Sequence, residues 1–519
     1  MKKSIELTIH PADVADKNKI TALAAKNLQI SPQEITALSV VRRSLDARPR
    51  QPVYKLSVDV YVGETPGEIF PSLHYLPLPD SAKKIHIAGF GPAGMFAALR
   101  LIELGIKPII YERGKNVRER RRDIRSLMQE HLVNEDSNYC FGEGGAGTFS
   151  DGKLYTRSNK RGDIGKILRV LHHHGADPDI LIDAHPHIGS NILPKIVQAI
   201  RETIIRCGGE IHFNAKLTDI RCIDNQLKTI TINDQQEVPV KGLILAVGHS
   251  ARDIFRLLKR KNIQIEAKPF AVGVRIEHPQ QMINEVQYHT NSAVRLLPPA
   301  AYNIACQIEG KGVFSFCMCP GGIVVPASTS ESEIVLNGMS VSRRNSPFAN
   351  SGFVVTVDEK DWGTDWGNDP LAGVYYQAKI EQAAYRQTSS QRAPSQRASD
   401  FIANSESTSL PKSSYIPGLQ SVNLNEVFPH GISDALRGGL QQAEKKMKGY
   451  ASAEALLLAP ETRTSSPVRM LRDRETRMHI QINGLFPSGE GAGYAGGIVS
   501  AAIDGELCAE SVCKFISVK

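Results

Sequence analysis

The sequence predicts an α/β protein in three parts: a discontinuous Rossmann-like domain, a β-rich α+β domain inserted into it, and a small N-terminal βαββ domain. Three observations carry that expectation. A strand–glycine loop–helix–strand unit occupies 84–112, a second glycine loop running into a helical stretch lies near the C-terminus, and strand-like runs fill the span between. The 519 residues suit roughly three domains at about 150 residues each. Hydrophobic residues make up 41% and charged residues 22%, which excludes global disorder. No stretch approaches the ~18 uninterrupted apolar residues of a membrane helix. The start, MKKSIELTIHP, has no apolar h-region, so no secretory signal is expected. Eight cysteines without a CxxC pair point to a reduced, cytoplasmic protein rather than a disulfide scaffold.

In chain order, 4–9 alternates like a strand, 17–28 has helical periodicity, and 36–43 and 53–62 read as strands joined by the turn RSLDARPR. A Pro-rich stretch from 71 to 80 is the expected linker, closing an N-terminal domain at 1–80. The first part of the Rossmann-like domain is expected at 81–260, with a small β-meander within 209–247. The β-rich insert is expected at 261–459 and the second part of the split domain at 460–519. The Ser/Gln-rich segment 387–414 reads as a long loop or a lid, with Arg397 as an anion anchor.

Net charge is +8, and much of the surplus is local: residues 113–125 hold seven basic and two acidic side chains. A nucleic-acid binder would show a broad basic face instead. This segment is either a solvated arginine-rich helix face or a set of arginines that neutralises a bound diphosphate.

The run KKIHIAGFGPAGMFAALRLIELGIKPIIYER is the strongest local signal. A short apolar strand enters Gly89-x-Gly91-x-x-Gly94 and then an amphipathic helix that begins with Pro92 and Ala93. The second strand ends at Glu112-Arg113, with Glu112 lying 23 residues after Gly89. Gly89 permits the tight turn, Gly91 lets the backbone approach a diphosphate, and Gly94 allows close helix–strand packing. The positive end of the helix dipole then holds phosphates, and Glu112 accepts from both ribose hydroxyls. Strand, loop, helix, second strand and acid at this distance together predict dinucleotide binding.

The dinucleotide is read from the far end of the chain. The loop GLFPSGEGAGYAGGI, with Gly489, Glu490, Gly496, Gly497 and Ile498, runs directly into a helix. Closure by a distant acid-plus-glycine loop and helix resembles the glutathione-reductase-type FAD fold. In that fold the helix N-terminus faces the N1/O2 edge of the flavin. The segment LILAVGHSA, with Ala246 and Gly248, resembles the same fold's short strand-and-glycine motif. Lys216 and Leu217 complete the expected cofactor-binding set. The wider class often has Asp where this chain has Glu490.

Together with GEGGAGTFSDGKLYTR at 142–157, FCMCPGGIVVPAS at 316–328, NGMS at 337–340 and ETRTSSPVRMLRD at 461–473, these motifs resemble the bacterial FAD-dependent dehydrogenase family of NAD(FAD)-utilising enzymes. The resemblance covers most of 85–505 and implies non-covalent FAD. It also implies that the loop carrying Gly145, Ala146, Gly147 and Thr148 runs along the isoalloxazine ring. Cys317 and Cys319 belong either to a buried strand beside a turn or to the wall of a pocket. No second thiol pair completes a zinc site, and the histidines at 172–174, 185 and 187 lack companions at metal spacing, so no metal is expected. A disulfide-reductase cysteine pair and a second GxGxxG unit for NAD(P)H are both missing from the sequence. NAD(P)H would therefore visit transiently, or a protein electron-transfer partner would reduce the flavin.

The leading reading is an FAD-dependent oxidoreductase that passes hydride through flavin N5 to or from a small molecule. The alternatives are a flavoprotein that acts on RNA and a flavin-loaded binding or sensor protein. Neither a membrane nor a nucleic-acid partner is expected. No His, Tyr or Lys has a spacing that singles it out as the catalytic acid or base.

Overall fold

The computed structural model describes residues 1–67, 73–156, 162–289 and 296–517. Part of the expected 71–80 linker and the end of the 142–157 motif lie outside them. Among the described residues no helix is long and apolar enough to cross a membrane.

At the N-terminus the strands Lys2–Ile9, Val53–Val62 and Ile35–Asp46 form an antiparallel sheet in that order, with the helix Lys17–Leu28 packed across it. Asp16 caps this helix by accepting from the N–H groups of Asn18 and Lys19. The third strand is longer than expected and runs on through Asp46, because Arg43 is tied down. Its side chain ion-pairs with Asp179 and Asp183, both at 2.7 Å, and its backbone bonds to Ile182 and Ala184.

Five parallel strands make the first large sheet, in the order Leu485–Pro487, Leu243–Leu245, Lys84–Ala88, Lys107–Tyr111, Glu210–His212. Side chains alternate along each strand. Ile85, Ile87, Ile110, Ile244 and Phe486 face the helices Pro92–Glu103, Leu193–Arg206 and Ile498–Ser517. Ala88, Ile109, Tyr111, Leu243 and Leu245 face a three-stranded meander of Leu217–Ile223, Gln226–Ile232 and Gln236–Pro239. The helices Pro92–Glu103 and Ile498–Ser517 cross at close range. A Cβ on Gly505 would lie 2.1 Å from the Ala93 carbonyl oxygen.

The second large sheet has seven strands in the order Ala305–Ile308, Lys311–Cys319, Phe348–Val357, Phe270–Pro279, Leu456–Glu461, Ala393–Arg397, Leu419–Ser421. All neighbours are antiparallel except the last pair. The helices Ala372–Thr388 and His430–Lys446 cover it. Two expectations are corrected here. The strand Leu456–Glu461 pairs wholly within this sheet, so a boundary at 459/460 would cut through it. The segment 387–414 is not one long loop or lid, although its latter part, 404–414, is irregular. It contributes the buried strand Ala393–Arg397 and the short helix Ala398–Ala403, and Arg397 bonds the Ser409 hydroxyl rather than reaching a site.

Candidate functional site

A cleft with a cavity volume of about 330 Å³ opens where the carboxyl ends of the parallel strands meet the seven-stranded sheet. The Gly89–Gly94 turn forms one end. Gly89 has φ +97°, and a Cβ there would lie 2.3 Å from the Ala246 carbonyl oxygen. A Cβ on Gly94 would lie 2.0 Å from the Gly89 carbonyl oxygen. Both glycines are therefore required by the protein's own packing. Gly91 and Gly496 differ from them. Neither has a left-handed backbone, Gly91's Cβ would come no closer than 3.8 Å to any neighbour, and Gly496's would meet nothing within 4 Å. These two are bare where they line the cleft, which fits a ligand that approaches the backbone itself.

Of the sequence-predicted residues, Gly89, Gly91, Pro92, Ala93, Glu112, Arg113, Gly145, Ala146, Gly147, Leu217, Ala246, Gly248, Glu490, Gly496, Gly497 and Ile498 line this cleft. Gly94, Thr148, Lys216 and Gly489 do not. Gly94 is a packing residue, and the buried Thr148 hydroxyl donates to the Glu143 carbonyl at 2.8 Å. Lys216 is held by Asp136 at 3.1 Å and Asp253 at 3.8 Å. Gly489 donates its N–H to Asp504 at 2.7 Å, and Asp504 in turn is gripped by Arg472 at 2.6 and 3.0 Å.

Glu112 has less free capacity than expected. One oxygen accepts the N–H groups of Gly114 and Gly142, both at 2.9 Å, and the other accepts Phe90 N–H at 2.8 Å. A carboxylate oxygen offers two lone pairs, so one acceptor position faces the cleft rather than a pair for two hydroxyls. The same three bonds tie the first glycine turn to the 142–147 loop.

In the arginine-rich segment the solvated helix face holds for four of the arginines, and Arg113 and Arg120 depart from it. Arg113 ion-pairs with Asp253 and lies over the Phe141 ring at 4.4 Å. Arg118, Arg121, Arg122 and Arg125 are exposed. Arg120 is fully buried and donates to the carbonyls of Asn138 (2.7 Å), Glu143 (2.8 Å), Tyr139 (3.0 Å) and Gly145 (2.9 Å). Burial lowers its pKa to about 10. Its role is to clamp the glycine loop. Among the histidines, His174 is buried, bonded to the Val170 carbonyl and Thr203 hydroxyl, and pushed down to about 4 by burial.

Several cleft residues carry no sequence motif. His249 lies 3.7 Å from the Glu490 carboxylate. Burial, together with Arg463, Arg252 and Lys268, lowers His249 to about 3, so its ring is neutral. Enclosure in the cleft raises Glu490 to about 7, against the opposing pull of Gly497 N–H and Lys268. A carboxyl that titrates near neutrality can hold or release a proton there. Asp151, Lys153, Phe316, Cys317, Cys319, Asn337 and Arg463 form the wall toward the seven-stranded sheet. Cys317 and Cys319 satisfy both alternatives, since they end the strand Lys311–Cys319 beside a turn, with Cys319 buried, and both line the cleft. Cys317 has φ +44°, and strand pairing shifts register between Phe316 and Cys319. That bulge was invisible in the sequence.

Residues 269–464 match the family model described as FAD-dependent protein, C-terminal domain-like, and residues 1–61 match a domain of unknown function. An uncharacterized protein of Clostridium beijerinckii is 40% identical over 518 residues, covering 96% of each chain. Among solved structures, glycine oxidase from Geobacillus kaustophilus aligns over 84% of this chain and 96% of its own, at 11% identity and a TM-score of 0.35. E. coli quinol fumarate reductase aligns over 84% and 70%, at 11% identity and a TM-score of 0.34.

Proposed function

The chain belongs to the family of the Clostridium beijerinckii protein, and we propose that it is an FAD-dependent oxidoreductase acting on a small molecule, with FAD held non-covalently in the cleft. One observation carries the reading. Gly91 and Gly496, far apart in sequence, line the same cleft and are bare for no reason of internal packing. The match of residues 269–464 to a domain of FAD-dependent proteins supports the choice of dinucleotide.

In this reading the Gly89–Ala93 turn and the N-terminus of Pro92–Glu103 receive the diphosphate, where backbone N–H groups and the helix dipole favour negative charge. Glu112 accepts one ribose hydroxyl, and Glu490 faces the ribityl chain. Gly145–Gly147 and Gly496–Ile498 form the floor under the ring. When bound, FAD supplies two-electron chemistry at its N5. The chain's own part is to exclude water with the insert-side wall, orient the substrate against that wall, and hold or release a proton at Glu490. A visiting NAD(P)H is the proposed electron donor. Anaerobic mixing with NADH or NADPH should bleach the flavin, and a flavin that stays oxidised with both points to a protein donor.

The test is direct. The purified chain should be yellow and release FAD into the supernatant on denaturation, and FMN or no flavin would overturn the proposal. Gly91→Val should melt close to the flavin-free parent yet fail to take up the cofactor, because a Cβ at this position comes no closer than 3.8 Å to protein and extends into the cleft. Gly363→Ala, where a Cβ meets nothing, should retain it.

A further inference from the structure

Resting on the flavin reading above, we propose that Lys153, Asn337 and Cys317 form a carboxylate-binding subsite, so that the substrate is a small molecule carrying a carboxylate group. All three line the cleft on the side of the seven-stranded sheet.

The orientation of the Asn337 amide is fixed by its neighbours. Its Oδ1 accepts Arg275 Nη2 at 2.9 Å and Gly338 N–H at 2.7 Å. Arginine has donors and no acceptor, so the atom facing it is the oxygen, and both of its lone pairs are used. The amide NH₂ is left to face the cleft, where Asn337 is exposed. Arg275 itself is fully buried, and its charge is met by Glu461 at 2.6 Å.

Cys317 is held by the same guanidinium, whose Nη1 donates to the Cys317 carbonyl at 3.1 Å. Its left-handed backbone turns the side chain out of the strand ladder into the cleft. Enclosure there raises the thiol to about 11, so it stays protonated and offers an S–H donor rather than a competing negative charge.

Lys153 donates to the carbonyl of Met318, the next residue along, and keeps two further N–H donors. Asp151 is the carboxylate near it, at 3.8 Å. Asp151 is already taken by Arg344, at 2.7 and 3.2 Å, and by the Ser340 hydroxyl. Asp151 is thus shared by Arg344 and, at longer range, Lys153, so that Lys153, Arg344 and Arg275 stand as three cations against the two carboxylates Asp151 and Glu461, and Lys153 is the more loosely held partner of Asp151. Its side chain is 38% exposed, toward the cleft. Two nearby polar groups, Thr464 and Arg463, are committed elsewhere. Thr464 exchanges hydrogen bonds with the Ala271 N–H and carbonyl, and Arg463 is spread over Glu333, Glu381 and Thr329. The wall thus presents three donors and one net positive charge, the complement of a carboxylate.

Calorimetric titration of the purified protein with benzoate and, separately, with its neutral isostere benzamide tests this, with flavin content assayed on the same sample. Benzoate should bind at least tenfold more tightly than benzamide. Lys153→Met should weaken benzoate tenfold or more and leave benzamide unchanged. Asn337→Asp keeps an acceptor for Arg275, and so the fold, while presenting negative charge, and it should remove benzoate binding. Absence of benzoate binding, equal binding of the two probes, or undiminished benzoate binding by Asn337→Asp overturns the subsite. If discrimination persists in protein that contains no FAD, the flavin reading fails and the subsite stands. If FAD is present without discrimination, the subsite alone fails.

Discussion

Two carboxylates in the cleft show how environment divides one chemistry into two tasks. Glu112 spends three of its acceptor positions on backbone N–H groups and works as a fixed knot between two loops. Glu490 has lost water without gaining equivalent partners, which raises it from an ordinary 4.5 to about 7. The folded state therefore keeps a proton that the unfolded chain releases between those two values, so Glu490 costs the fold stability as pH rises through that window. Glu490→Gln removes the cost. Denaturation midpoints of the flavin-free proteins should coincide near pH 4.5 and separate as pH rises to about 7, with the variant the more stable. Parallel curves across that range would show that Glu490 titrates normally.

At the scale of elements, what the sequence revealed follows the strength of its periodic signal. The unit 84–112 was legible because apolar strands, an amphipathic helix and three glycines all agree within one short stretch. The strand Ala393–Arg397 was not, because Ser395 and Gln396 are polar yet fully buried. Their polarity is absorbed internally. Ser395 donates to the Ala393 carbonyl at 2.9 Å, and Gln396 donates to Ser405 at 2.7 Å and accepts from Leu424 N–H at 3.0 Å. No residue pattern announces partners that lie beyond the strand itself. The same blindness hid Arg120, which the sequence shows only as one more basic residue on a charged helix. In the site, motif glycines and acids were readable, whereas His249, Lys153 and Asn337 depend on the approach of two sheets. Gln396→Leu keeps the volume but leaves the buried Leu424 N–H unpaired, at about 1–3 kcal/mol. Urea unfolding should move to a clearly lower midpoint with an unchanged slope. The exposed Gln235→Leu should shift stability by less than about 0.5 kcal/mol, and an equally small shift for Gln396→Leu would mean that its buried bonds are dispensable.

At the scale of the molecule, the cleft exists because two sheets are held at a fixed separation, and a buried ionic network holds them. Arg252, on the helix Arg252–Arg260 beside the parallel sheet, meets Glu381, on the helix Ala372–Thr388, in a two-pronged contact at 2.7 and 2.8 Å. Arg463, which lines the cleft, reaches Glu381 at 3.2 Å and Glu333 at 2.6 Å. Thr462 adds a hydroxyl to Glu381 at 2.6 Å. Burial alone would raise the Glu381 pKa, yet Arg252 and Arg463 hold it well below the usual carboxylate range, so it stays ionised. Two guanidiniums thus face two carboxylates, and the charges cancel. Glu381→Gln leaves both cations to share Glu333, and stranding a buried charge in this way costs about 3–5 kcal/mol. The loss should be regional, because the network joins the two sheets and does not touch the N-terminal domain. Amide exchange followed by mass spectrometry should quicken in 252–260, 372–388 and 456–461 of the variant and stay unchanged in 1–62. Flavin retention should fall as well, since Arg463 is part of the cleft wall. A uniform rise in exchange along the whole chain would show instead that Glu381 stabilises the fold globally and does not set the spacing between the sheets.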